Sequence, residues 1–286
     1  MNIQWYPGHM AKSRRLISEK LKIIDLIIEV VDARAPYSTK NPDFDQLFRQ
    51  KRRILLLNKS DLAEPEITKM WLDYYKHQGI SVLSFCAVKD NPKPLIAAIQ
   101  NELKPIIDKY RAKCMNKTVR CMAAGIPNVG KSALLNRLAG GKKLKEGNKP
   151  GVTRGLQWLK LGGNIELLDS PGLMWPKIEN QHQALNIALL KSINEDILNT
   201  EELALGLVDF FKTRYPDRLV QRYTITGLDK TNDEILNEIC KNRGFIMKGE
   251  APDIERAANM IIDEFQGGTL GRISLETPKD IEEAVK

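Results

Sequence analysis

Cysteine and histidine are scarce: the 286 residues hold four of the first, Cys86, Cys114, Cys121 and Cys240, and three of the second, His9, His77 and His182. The cysteines show no close pair and the histidines are scattered, so neither a disulfide-linked partner nor a sequence-local zinc site is expected. Long apolar runs are missing too. The most apolar stretches, residues 23–31 and 54–57, are short, and the first contains Asp25 and Glu29, so no segment is expected to cross a bilayer. The opening Met-Asn-Ile-Gln-Trp-Tyr-Pro reaches a basic cluster before any apolar core, the wrong order for a secretory signal, and a cytoplasmic location is expected. Glycine and proline, 19 and 14, are too few and too dispersed for a disordered or collagen-like chain.

What is abundant is positive charge, unevenly spread. Residues 1–180 sum to +14 and residues 181–286 to −6, within the formal net charge of +8. Such asymmetry points to two domains of different chemistry. Basic clusters at Lys12/Arg14/Arg15, Lys51/Arg52/Arg53, Arg111/Lys113/Lys117/Arg120 and Lys142/Lys143/Lys145/Lys149 would attract a polyanion, RNA first, although a solvated surface explains any one of them equally well.

Hydrophobic patterning alternates between strand and helix. Strands are expected at residues 23–31, 54–57, 81–85 and 118–124, helices at 65–78, 94–113 and 131–139, and a hairpin at 158–161 and 165–168 joined by Gly162-Gly163-Asn164. That rhythm predicts an α/β domain with a mostly parallel sheet and a ligand at the carboxyl ends of its strands. Beyond about Pro176 only helical periodicity remains, at 184–193, 201–213, 216–223, 233–242 and 253–265. The expected division is residues 1–178 and a helical domain over 179–286.

Gly125-Ile126-Pro127-Asn128-Val129-Gly130-Lys131-Ser132 fits the phosphate-loop pattern G-x4-G-K-[ST], placed between an apolar strand and a helix as its mechanism requires. The loop's N–H groups would turn around the β-phosphate, Lys131 would neutralise β and γ oxygens, and the Ser132 hydroxyl would coordinate Mg²⁺. Asp169-Ser170-Pro171-Gly172 closes a strand with a carboxylate for the magnesium and, at Gly172, an N–H for the γ-phosphate. Thr153, in the glycine-punctuated loop before it, would add a magnesium ligand only when that phosphate is present. Asn58-Lys59-Ser60-Asp61 supplies base choice. The Asp61 carboxylate accepts from N1–H and the 2-amino group of guanine, whereas adenine would leave it desolvated and unpaired. Asn58 would support the purine edge, the Lys59 stem would pack on the ring, and Ala87, in Cys86-Ala87-Val88, would offer its N–H to O6. Alone, Asn-Lys-Ser-Asp is ordinary turn chemistry. Four motifs, each at a strand end, are not accidental, and together they predict a GTP site.

These motifs stand in a shuffled order, with Asn58 to Asp61 before Gly125 to Ser132 and Asp169 to Gly172 last. In this order, in Asp32-Ala33-Arg34-Ala35-Pro36 and in Trp5-Tyr6-Pro7-Gly8-His9-Met10, the chain resembles the circularly permuted GTPases of the YlqF/YawG type along essentially its whole length. The resemblance implies a P-loop GTPase domain followed by a small all-α domain that contacts rRNA, hydrolysis of GTP in assembly of the large ribosomal subunit, and the subunit precursor as activator. It further implies catalytic help from His9 and a potassium ion held by Asn128. Ala133 departs from the threonine common after the phosphate-loop serine. Leu173 follows Gly172 where Ras-like enzymes have a water-orienting glutamine, so slow intrinsic hydrolysis is expected. A rival reading keeps GTP as a structural ligand of an RNA-binding factor. For RNA contact the helical half offers Arg218 and Arg222, one turn apart among tyrosines, with Lys241, Arg243 and Lys248.

Overall fold

A computed structural model describes residues 8–140, 157–162, 164–178, 180–193 and 199–285. The chain opens with α1 (Gly8–Leu21), β1 (Leu26–Asp32), α2 (Asp43–Leu47), β2 (Arg52–Asn58), α3 (Pro65–His77), β3 (Ser81–Phe85) and α4 (Lys93–Arg111). It continues through β4 (Val119–Ala124), α5 (Lys131–Leu138), β5 (Gln157–Gly162) and β6 (Ile165–Asp169). The strands form one sheet in the order β3-β2-β1-β4-β6-β5, all parallel except β5, which runs antiparallel to β6 as a hairpin requires.

The order carries the functional geometry. From β1 the chain works outward to β2 and β3, and after the adjacent β4 its strands fall on the other side, β5 at the edge and β6 returning between β5 and β4, so the switch point lies between β1 and β4. In an open parallel sheet a ligand crevice opens at the strands' carboxyl ends at such a point. Side chains of β1 and β2 alternate between two cores. Val31, Leu55 and Leu57 pack with Trp71 and Tyr75 of α3, while Ile28, Val30, Ile54 and Leu56 enter a larger core on the other face.

That larger core does not stop at the sheet. Leu173, Met174, Trp175 and Ile178 carry it into α6 (Gln181–Leu189), α7 (Thr200–Arg214), α8 (Pro216–Tyr223), α9 (Asn232–Arg243) and α10 (Ile254–Gly267). Each start has a physical cause. The Asn180, Asn199 and Asp253 side chains accept N–H groups of the first turns of α6, α7 and α10, Pro216 opens α8, and Thr231 and Glu234 make a reciprocal capping box on α9.

The chain then returns to the sheet. Ile273 N–H donates to Leu62 O at 2.9 Å, Leu275 N–H to Arg34 O at 2.8 Å, and α11 (Pro278–Val285) packs on α3. Patterning did not predict α1, α11 or this return. It also began the first strand too early: Ile23 is 42% exposed in the turn between α1 and β1.

Candidate active site

Five strand ends meet at one edge of the sheet: β1 delivers Asp32, β2 Asn58, β3 Phe85 and the following Cys86-Ala87, β4 the loop from Gly125, and β6 Asp169. The phosphate loop departs where β4 passes β1. A Cβ on Gly125 would come within 2.4 Å of Val30 O, so only glycine lets the loop leave so close to the neighbouring strand. Gly130 has φ +91°, and a Cβ there would meet Asn58 Nδ2 at 2.3 Å. This second glycine therefore turns the loop into α5 and admits Asn58 in one stroke.

The Asn58 side chain is a clamp. Its Nδ2 donates to Val129 O at 2.8 Å and its Oδ1 accepts Ala87 N–H at 3.1 Å, while Lys59 Nζ donates to Asn128 O at 2.7 Å. Residues some seventy positions apart thus bind the guanine motif to the phosphate loop. Lys59 and Asn128 both sit in the left-handed region, φ 58° and 61°, a strained conformation for residues with a Cβ, of the kind that tertiary contacts at ligand sites maintain. Ala87 N–H, expected on the purine O6, is engaged with Asn58 here. Asp61 is mostly buried and its Oδ2 lies 2.8 Å from Lys89 Nζ. Burial pushes its carboxyl up, but hydrogen bonds from Lys89 and Cys86 outweigh that and hold it below the usual range.

Behind this loop lies a group of charges that motif reading left without a role. Asp32 and Arg34 are 1% and 2% exposed, and Asp32 accepts Arg34 Nε at 2.9 Å and Nη2 at 2.8 Å, with Lys59 Nζ at 3.1 Å. Burial raises the Asp32 carboxyl, yet the two cations hold it far below the carboxylate range. The Arg34 guanidinium lies over the Phe265 ring of α10, 5.3 Å from its centroid. An Asp-x-Arg at a strand end is the only sequence signal for this group; its partners on α10 lie more than 200 positions away. The seam also holds Glu276, a buried carboxylate accepting the N–H groups of Tyr37 at 2.5 Å and Ser38 at 2.9 Å, the Ser38 hydroxyl, and Asn186 Nδ2 at 3.3 Å. Among the described residues no cation pairs with it, and burial pushes its carboxyl up to about 7 despite these donors.

At the phosphate end, Lys131 is buried and its Nζ donates to Gly125 O at 3.1 Å and Ile126 O at 2.7 Å; desolvation lowers its ammonium to about 8. Ser132 Oγ stands 3.5 Å from Asp169 Oδ2, and the buried Asp169 Oδ1 has no hydrogen-bond partner among the described residues. A hydroxyl beside a carboxylate with an unspent oxygen fits a hard cation that keeps most of its other ligands as water and phosphate, which is the habit of magnesium. Gly172 passes so near the loop that a Cβ would lie 2.8 Å from Pro127. Leu173 is buried, with its N–H on Gly125 O at 3.2 Å and its carbonyl accepting from Asn41 Nδ2 at 2.7 Å, so this residue anchors the segment and presents nothing to water.

The remaining expectations divide. Val129 and Gly130 are in the loop, and Ala133 is in the first turn of α5. Asn128 Nδ2 donates to Leu190 O at the end of α6 at 2.8 Å, tying the loop to the helical region. His9 falls within α1, but its side chain, like the whole of Thr153, lies outside the described residues. On the expected basic face of α8 both arginines have partners within the chain, while Arg222 stays exposed. Arg218 Nη1 donates to Leu270 O at 3.3 Å and Arg272 O at 2.5 Å, Arg222 is paired with Glu264, and Tyr223 is buried. Both arginines fasten the tail and α10, work that one-turn spacing cannot distinguish from phosphate binding.

Known proteins are similar to this chain along its length. Residues 120–247 match the family described as 50S ribosome-binding GTPase. The ribosome biogenesis GTPase A of Bacillus cereus is 41% identical, the alignment covering 100% of this chain and 97% of that protein, and the protein of that name in Thermotoga maritima is 31% identical, covering 98% and 96%. The GDP-bound structure of YlqF from T. maritima superposes with a TM-score of 0.69 at 28% identity, over 93% of this chain and 100% of that one. Likeness over the full length, joined to a phosphate loop and a guanine motif clamped together in permuted order, makes this chain a GTP hydrolase belonging to the ribosome biogenesis GTPase A family.

Proposed function

We propose that the chain hydrolyses GTP by direct attack of water on the γ-phosphate, as a switch in late assembly of the large ribosomal subunit, and that the subunit precursor completes its active site. The carrying observation is the clamp of Asn58 and Lys59 onto Val129 O and Asn128 O, which makes one binding surface of the base and phosphate motifs. Asp61 reads guanine, with Asn58, Lys59, Cys86 and Ala87 shaping its pocket. The N–H groups from Asn128 to Ala133 and the Lys131 ammonium take the phosphates, and Gly172 senses the γ position. Ser132, Asp169 and, in the triphosphate state, Thr153 would hold magnesium, which when bound neutralises charge on the β and γ oxygens.

Asn128 spends its amide N–H on Leu190 and keeps Oδ1 for a potassium ion beside the same phosphates. Leu173 has no polar atom beyond its backbone, so positioning of water falls to His9 or to the particle. The boundary at residues 178/179 separates a GTPase domain from a helical domain held to it by the returning tail. rRNA of the precursor is the proposed partner, in the cytoplasm. Single-turnover hydrolysis with and without immature large-subunit particles tests this reading. It expects particle-dependent acceleration of at least tenfold that falls when sodium replaces potassium or in His9→Ala; equal rates with and without particles would refute it.

A further inference from the structure

The proposed nucleotide site lies at one edge of the sheet; the opposite edge has a groove with no part in that chemistry. It runs between α4 and the β5–β6 hairpin, with a cavity volume of about 770 Å³, and is open to solvent. Its floor is apolar, made by Ile107, Val119, Leu161 and Ile165, and Val119 and Ile165 are the first residues of β4 and β6, which fixes it at the amino ends of the strands.

The walls are amide and mainly cationic, with one carboxylate, Asp108, among the lining residues. Asn101, Lys104 and Arg111 line one side along α4, and Asn116 and Asn164, hydrogen-bonded to each other, join the α4 end to the hairpin. Lys104 and Arg111 are exposed and make no ion pair among the described residues; Asp108 lies between them on the helix and pairs with neither. Seven residues of helix separate the two cations by about 10 Å. Exposed Lys109 and Lys113 continue the positive charge beyond the groove, whereas Lys117 is neutralised by Asp25 and Arg120 by Glu166.

We infer that this groove binds single-stranded RNA. Two unpaired cations along one wall suit successive backbone phosphates, amides suit base edges, and an apolar floor suits unstacked bases. The site leaves the nucleotide edge about 20 Å away across the six-residue β4. The inference rests on the proposed role with the ribosomal precursor and names the surface that would meet its RNA.

The test uses the full GDP-bound chain and a fluorescein-labelled ten-nucleotide single-stranded RNA, followed by anisotropy from 50 to 300 mM KCl. Lys104→Ala with Arg111→Ala should raise Kd at least tenfold and flatten the dependence of log Kd on log salt by about 1.4, or 0.7 per phosphate contact. Unstimulated GTP hydrolysis and melting temperature should not move, since both residues are exposed and remote from the phosphate loop. Wild-type binding that is absent, an unchanged Kd and slope in the variant, or equal binding of a polyglutamate peptide lost in the same variant would overturn the inference. Particle-stimulated turnover separates the two readings. If particles fail to stimulate the wild type, the assembly role falls; if they stimulate it and half-saturate the variant at the same concentration, only the groove falls.

Discussion

The nucleotide edge and the helical region use charge in opposite ways. At the edge, Asp32, Arg34, Lys131 and Asp169 are buried, and each holds, or waits for, a partner of opposite sign or a carbonyl. In α6 to α10, charged and polar side chains close helix ends or pair across exposed faces, as Asp253, Glu234 and Arg222 do. Buried charge is expensive and is kept where a ligand or a neighbouring element needs it; exposed charge is cheap and shapes the surface. The buried group at the edge balances two cations against two carboxylates, so the positive excess of residues 1–180 lies outside it, and in the helical region Arg218 and Arg222 hold partners within the chain.

That contrast sets the order of expected effects. Lys131→Ala removes the buried ammonium and should lower kcat/KM for GTP about 10³-fold, measured by phosphate release; a loss below tenfold would mean the loop backbone alone carries the phosphates. Asp61→Asn should reverse base preference, weakening GTP about 100-fold while improving xanthosine triphosphate, whose 2-oxo group needs a donor; competition against a fluorescent nucleotide reads both.

The seam comes next in size. The Glu276 carboxyl has a folded-state value near 7, above the ordinary 4.5, so the folded chain binds the extra proton between those pH values. Stability attributable to this group is therefore present at about pH 4.5 and is lost as pH rises through 7, by about 3 kcal/mol in all. Urea unfolding of wild type against Glu276→Gln across that range should show the difference, and a constant difference would mean that the carboxylate is fully compensated by Ser38 and Asn186. Smallest of all, Arg222→Ala should cost under about 1 kcal/mol in the same assay, because its pair with Glu264 is exposed; a much larger cost would make the helical region resemble the nucleotide edge after all.

Local chemistry was legible and long-range chemistry was not. Residues 81–85 and 216–223 were delimited in the sequence as they fold, because a short apolar-rich segment follows Gly79 in the first case and Pro216 opens the second. The phosphate loop, Asn58 to Asp61 and Asp169 to Gly172 were readable since each motif is contiguous and its backbone demands are met within a few residues. The Asn58 link to Val129, the Arg34 stack on Phe265 and the Glu276 pocket were not, because each joins elements far apart in the chain. α1 was hidden because its charges read as a polyanion cluster, although Arg14 pairs with Asp43 and Arg15 with Glu19.

The central claim is that motifs dispersed along the chain grip one guanine nucleotide, and competitive titration of the purified protein with GTP and ATP against a fluorescent GDP addresses it most directly. GTP should displace the probe with a Kd at least 100-fold lower than that of ATP, and Asn58→Ala, which opens the clamp, should weaken GTP binding without loss of the folded state. Equal displacement by the two nucleotides, or GTP binding unaffected by Asn58→Ala, would contradict the account.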